Sequence, residues 1–155
     1  MPNVPPSMSS ISSRNVVIDT LIDAGPLLAT INRNDTWHAE SAALLRSLDC
    51  PFYTTLAVIT EAMHLLGRYT GMPGQAALWR LILRGDLVVE HPTQRDLQRM
   101  ADLMTRYADR PMDFADASLV AVAERLGLDR IVTLDRTDFS IYRLHDRKPF
   151  VIVGP

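Results

Sequence analysis

Asp113, Asp116, Asp135 and Asp138 stand towards the two ends of one segment, Arg110 to Phe139, whose middle is almost entirely apolar. Acids gathered at the ends of apolar elements, not spread along a solvated face, have the pattern of a metal site. Two upstream acids extend it. Asp23 directly follows the β-branched, apolar run Val16 to Ile22, and Glu61 is the one acid in Leu56 to Leu66, LAVITEAMHLL. With one cysteine and no zinc-like Cys/His spacing, the ligands would be hard oxygens, which suit Mg²⁺ or Mn²⁺. Acids crowded without a cation repel one another and hold their protons more tightly. A bound divalent cation relieves that and readies a water for attack on phosphate.

Each acid also has a plainer reading. Asp19 lies inside the first apolar run and reads as an exposed strand residue. Glu61 shares a helix face with Val58 and Leu65, where a carboxylate is costly unless paired, protonated or bound to a cation. It could instead reach solvent at the helix edge with His64 as partner. Asp113 is placed to cap the helix that carries Asp116, and both cap and ligand remain open for it. Asp116 lines up with Leu119, Val120 and Ala123 and points as the buried face points. A lone histidine such as His38 reads as a packing or capping residue.

The elements that must position these residues follow from hydrophobic patterning. Val16 to Ile22, Phe52 to Thr55, Leu87 to Glu90 and Ile131 to Leu134 read as strands, and Phe150 to Val153 as a last short strand. Helices are expected from Ala24 with Pro26 at its start, over Thr36 to Leu48, over Leu56 to Leu66, over Gln75 to Leu83, from Pro92 to about Tyr107, and from Asp113 to Gly127. Gly67 to Gly74 reads as a turn-rich connection. Thr93 and Asp96 resemble a capping box, so Asp96 and Asp102 read most simply as cap and surface charges. Thr133 and Asp135 share one strand face, and Asp138 lies in the loop beyond. Strands alternating with helix pairs predict an α/β fold, a central parallel sheet flanked by helices on both faces. Asp23 then sits at a strand's carboxyl end, where open α/β sheets bind ligands.

The chain's 155 residues suit one domain, residues 15–155, behind a flexible Pro/Ser/Asn-rich tail, residues 1–14. No apolar run is long enough to span a membrane, and the N-terminus lacks the apolar core of a signal peptide. One cysteine, Cys50, leaves no intrachain disulfide and fits a reducing cytoplasm. Net charge is −2, so no global basic field attracts nucleic acid. Of sixteen basic residues only Lys148 is a lysine. Arginine suits phosphate, although codon bias in a GC-rich genome is the plainer account.

Four pieces together resemble a known family: LIDAGPLLATINRNDTWH, TTLAVITEAMHLL, MDFADASLVAVAERLG and IVTLDRTDF. They look like a PIN domain, and within it the VapC-type toxin nucleases of bacterial toxin–antitoxin systems. The resemblance covers nearly everything from Val16 onward, and the last two pieces in tandem are the most specific. It implies an endoribonuclease that hydrolyses RNA phosphodiesters with Mg²⁺ or Mn²⁺ and leaves 5′-phosphate and 3′-hydroxyl ends. By motif, Asp23, Glu61, Asp116 and Asp135 are the catalytic, metal-binding acids, with Asp113 a further metal ligand of some members. Thr133 and Asp138 are supporting residues. Arg136 and Arg143, with Arg147 and Lys148, are candidates for an RNA-binding patch. The implied partners are RNA, an antitoxin whose extended segment crosses the cleft with an Arg on the acids, and a second copy in a homodimer. Trp37, Trp79 and Met63 to Leu66 are interface candidates. The N-terminal extension and the negative net charge depart from expectation. The alternatives are a PIN nuclease of RNA processing, a non-catalytic binding module, or a phosphohydrolase with an aspartyl nucleophile. The last is disfavoured because Asp23-Ala24-Gly25 lacks a second Asp.

Overall fold

The computed structural model describes residues 19–48, 51–110 and 112–155. The proposed tail and the first three residues of the first expected strand, residues 16–18, lie outside the described residues. Five strands form one parallel sheet: β1 (Thr20–Ile22), β2 (Phe52–Thr55), β3 (Leu87–Glu90), β4 (Arg130–Val132) and β7 (Val151–Val153). Their order is β3-β2-β1-β4-β7. β1 is central because its residues, Thr20, Leu21 and Ile22, are buried on both faces.

Between the strands run α1 (Ala24–Ile31), α2 (His38–Ser47), α3 (Leu56–Tyr69), α4 (Met72–Arg84), α5 (Gln94–Arg106) and α6 (Phe114–Leu126). α6 is the most deeply set, with the whole run Ala117 to Ala123 buried. Leu21, Ile22, Ile131 and Val132 join Leu119, Val120, Leu103 and Phe139 in one continuous core. This is the predicted α/β architecture with helices on both faces.

Several boundaries differ from the sequence reading. Pro26 is the third residue of α1, within its first turn, not its first residue. α3 continues through Gly67 to Tyr69 and α4 starts at Met72, so the expected long connection shrinks to Thr70 and Gly71. Gly67 is not a breaker. A Cβ there would stand 2.7 Å from Gln75 Nε2, the amide that donates to Met63 O from the next helix. Gly71, at φ 67°, makes the turn. β4 ends at Val132, and Asp135 caps a four-residue helix, α7 (Arg136–Phe139), so Asp138 is helical, not in a loop.

A small antiparallel hairpin, β5 (Arg143–Leu144) with β6 (Lys148–Pro149), is unannounced in the sequence. Its turn puts His145 at φ 48° and Asp146 at φ 61°, a conformation that side-chain-bearing residues seldom take. Ion pairs from Arg99 and Arg106 to Asp146, and the His145 N–H donated to Glu124, hold it there.

Candidate active site

Strand order places the site. β1 lies between β2 and β4, so chain connections leave it in opposite directions and open a crevice at the strand ends. Ile22 pairs with Val132, and the Asp23 N–H donates to Val132 O at 3.0 Å. Asp23 therefore emerges beside Thr133. The Thr133 hydroxyl donates to Asp23 Oδ2 at 3.0 Å and accepts the Asp135 N–H at 3.0 Å. One buried hydroxyl thus ties together two acids from distant parts of the chain.

Three of the acids are helix caps. Asp23 Oδ1 accepts from Ala24 N at 2.7 Å, Asp113 Oδ1 from Asp116 N at 2.8 Å, and Asp135 Oδ1 from Asp138 N at 3.0 Å. Each cap satisfies an N–H that a helix start leaves unpaired. Capping occupies one oxygen of each carboxylate and fixes its rotamer; the second oxygen of Asp23 takes the Thr133 hydroxyl. Asp113 is therefore a cap, and that role leaves Asp113 Oδ2 available.

Asp116 sits in the first turn of α6, partly buried, and its Oδ2 accepts the Tyr142 hydroxyl at 3.1 Å. Glu61 departs from its reading. Its side chain is exposed, not embedded in an apolar stripe, although Val58 is fully buried and Leu65 partly so. No hydrogen bond or ion pair joins it to His64. Periodicity assigned its face correctly, but that edge of α3 borders the crevice and is left uncovered.

Two buried hydroxyl ties brace the arrangement, and neither was anticipated. Thr54 Oγ1 donates to Ile22 O at 2.9 Å, next to Asp23. Thr55, which caps α3, lies 2.6 Å from Ser118 Oγ, two residues beyond Asp116. The helix bearing Glu61 and the helix bearing Asp116 are thereby fixed to each other at their starts.

The acids act on one another electrostatically. Burial raises the Asp23 carboxyl, as do Asp113 and Asp135, against the lowering effect of its Ala24 and Thr133 hydrogen bonds. Loss of hydration in the crevice raises Glu61, with Asp113 and Asp23 adding to it. Asp116 is pushed up to about 7, first by burial, then by Asp113 and Asp23. Asp138 is raised by burial and by Asp135 and eased by Arg110. Burial and then the Asp116 charge push the Tyr142 phenol up. Elsewhere acids have basic partners: Glu124 has Arg99, Asp96 has Arg125, Asp129 has Lys148. Among the described residues none of Asp23, Glu61, Asp113, Asp116, Asp135 or Asp138 forms a salt bridge. Nor do any three acids or histidines there come close enough to make a ready-made metal cage. The donor set is all oxygen, unneutralised and self-repelling. That fits a hard divalent cation which keeps several waters, not a closed protein cage.

The basic candidates are placed differently from one another. Arg136 donates to the carbonyls of Gly154 and Pro155, and Arg143 to those of Ser140, Ile141 and Tyr142. Neither guanidinium is neutralised by an acid. Lys148 pairs with Asp129, which precedes β4 and so lies at the opposite end of that strand from Thr133. Asp96 completes the predicted capping box with Thr93 and is 5% exposed, held by Arg125. Asp102 and Asp19 are exposed, and His38 Nδ1 pairs with Ala29 O. Trp37 and Trp79 are largely exposed, but Leu66 is fully buried and offers nothing to a partner. A cavity of about 1040 Å³ between α1, α2 and α4 is lined by none of the six acids. Tyr142 and Arg110 were missed, because nothing in their local spacing marks them.

Comparison with known proteins agrees with this architecture. The PIN domain profile matches residues 20–143. Ribonuclease VapC26 of Mycobacterium tuberculosis is 27% identical over 123 residues, covering 79% of this chain and 91% of that protein. The crystal structure of M. tuberculosis VapC20, a sarcin–ricin-loop-cleaving toxin, superposes with a TM-score of 0.68. It shares 25% identity, over 73% of this chain and 87% of that one. A toxin–antitoxin complex from Klebsiella pneumoniae gives 0.59 at 20% identity, over 79% and 92%, and speaks for the fold alone. A profile match from β1 to the start of β5 leaves one assignment: the chain belongs to the PIN domain family.

Proposed function

We propose that this protein is a Mg²⁺- or Mn²⁺-dependent endoribonuclease that serves as the toxin of a toxin–antitoxin pair. The observation that carries the reading is a crevice of six acids, none neutralised by a base, at the carboxyl ends of β1 and β4. The similarity to VapC26 and VapC20 supplies RNA as the substrate class, and the toxin character of VapC20 suggests an antitoxin partner. A homodimer and a cytoplasmic location complete the proposal, with residues 15–155 as the nuclease unit. Among the described residues no helix is long and apolar enough to cross a membrane.

Asp23, Glu61, Asp116 and Asp135 would hold the cation, directly or through water, with Asp113 Oδ2 able to join. The chemistry such a cation supplies is a bound water of lowered pKa and neutralisation of phosphate charge. The protein's part is positional. Thr133 orients Asp23 Oδ2 and the Asp135 backbone together. The caps from Asp113 and Asp135 fix the approach of Asp116 and Asp138. The guanidinium of Arg136, beside Asp135 in sequence and unpaired with any acid among the described residues, would meet backbone phosphate, with Arg143 a second candidate. No side chain need act as nucleophile, and products would carry 5′-phosphate and 3′-hydroxyl ends.

The test uses a structured RNA, first a sarcin–ricin-loop oligonucleotide, with 5 to 10 mM Mg²⁺ as a rough working range. Cleavage is expected from the wild type and none from Asp23→Asn or Asp116→Asn, both folded by circular dichroism. Undiminished cutting in excess EDTA, or by either variant, would sink the metal mechanism. Growth arrest on expression, relieved by a small neighbouring gene, separates a toxin from an RNA-processing nuclease.

A further inference from the structure

We propose that Tyr142 is a positioning residue that fixes the Asp116 carboxylate relative to the turn carrying Asp135 and Asp138. The inference rests on the reading of Asp116 as a metal-holding acid. Tyr142 makes contact with both sides of the crevice. Its hydroxyl donates to Asp116 Oδ2 at 3.1 Å, and its own N–H donates to Asp138 O at 3.1 Å. α6 and α7 are thus spanned by one residue that belongs to neither.

Its rigidity comes from packing. Tyr142 is 1% exposed. Its ring meets Tyr107 edge-on at 5.1 Å and Phe139 at 5.2 Å, and Phe139 in turn meets Phe150 at 5.6 Å. The Tyr107 hydroxyl accepts the N–H of Arg143, the next residue, and pins the chain there from the other side. A ring held on two edges and at its backbone cannot follow a moving carboxylate, so the carboxylate must settle on the hydroxyl. Asp116 Oδ2 is then committed to Tyr142, and Oδ1 has no hydrogen-bond partner among the described residues. That division turns Oδ1 toward the crevice. The buried hydroxyl reaches no solvent and has one acceptor, which suits orienting a carboxylate and not delivering protons to a product.

Outer partners of this kind typically change metal affinity by about tenfold or more when removed. The experiment is a Mn²⁺ titration of the full chain by calorimetry, with melting temperature read in parallel. Tyr142→Phe is expected to weaken Mn²⁺ binding about tenfold while its apo melting temperature stays within a few degrees of wild type. Tyr107→Phe removes a hydroxyl from the same aromatic cluster but not from Asp116, and is expected to bind Mn²⁺ as wild type does. Tyr142→Phe binding within twofold of wild type would overturn the proposal, as would an equal loss in Tyr107→Phe. Should Tyr142→Phe not fold, wild-type protein carrying ¹³Cζ-tyrosine decides: the Tyr142 ring carbon must shift on Mg²⁺ addition, and a resonance that stays in place overturns it. Asp116→Asn separates the two levels. If it binds Mn²⁺ as wild type does, Asp116 is no ligand and both readings fall; if it alone loses binding while Tyr142→Phe keeps it, only the role of Tyr142 falls.

Discussion

Replacing Asp116 by Asn should make the metal-free protein more stable at pH 8, although it removes an acid assigned to function. The carboxyl rises from 3.8 to about 7 through burial and the charges of Asp113 and Asp23. The folded state therefore binds the Asp116 proton more tightly than the unfolded chain does. Its stability falls as pH rises from about 4 to about 7, and the penalty is complete above that. Roughly three pH units at 1.36 kcal/mol each come to about 4 kcal/mol. Asp116 is only partly buried, and solvent screening brings the expected figure to about 2 kcal/mol. Asn keeps an oxygen to accept the Tyr142 hydroxyl and carries no charge, so it escapes the penalty. Urea unfolding in EDTA at pH 4, 6 and 8 measures this, taken as the variant minus the wild type so that other titrating groups cancel. The difference should be near zero at pH 4 and about 2 kcal/mol in favour of Asn at pH 8. A difference that does not change with pH, or a wild type more stable than the variant at pH 8, would show the acids are not strained against one another. Saturating Mg²⁺ should then stabilise the wild type alone and close the gap.

Thr133→Val keeps the shape but strips the Asp23 carboxylate of a donor and the Asp135 N–H of its acceptor; a loss of about 1–2 kcal/mol is expected in urea unfolding, with weaker RNA cleavage. Arg125→Leu leaves Asp96 buried without its base and should cost about 2 kcal/mol, whereas Arg84→Leu, whose ion pair with Asp86 lies at the surface, should cost under about 0.5 kcal/mol on the same assay. Gly154→Ala places a Cβ 2.7 Å from Thr133 O and should lower stability by about 1–2 kcal/mol, seen as a melting temperature reduced by a few degrees. An unchanged melting curve for Gly154→Ala would mean that the chain end moves aside freely.

What the sequence made legible is what depends on neighbours in the chain. β2 and β3 match their expected bounds because β-branched runs lie between clear breakers. The Thr93–Asp96 capping box and the Asp113 cap were readable because cap and amide are three residues apart. What escaped depends on approach through space. Thr55 meets Ser118 across 63 positions and Tyr142 meets Asp116 across 26. No periodicity encodes either. α7 escaped because four residues are too few to show a helical repeat, and the hairpin because His145 and Asp146 lack the glycine or asparagine that advertises such a turn. Its conformation is imposed from α5 and α6 by Arg99, Arg106 and Glu124. That Arg125 also holds Asp96 escaped because it comes 29 residues later.

The Asp23–Thr133 bond joins residues 110 positions apart. β1 therefore leaves the ribosome well before its neighbour on the crevice side, β4. A chain that stops before Thr133 has Asp23 and Glu61 but neither Asp135 nor the hydroxyl that aligns Asp23. Synthesis is vectorial, so the proposed site cannot be aligned until β4 has been made. On that reading a nuclease directed at RNA would be kept from the message and the machinery producing it until both halves of its acid cluster exist, and a chain stalled before Thr133 would lack one of them.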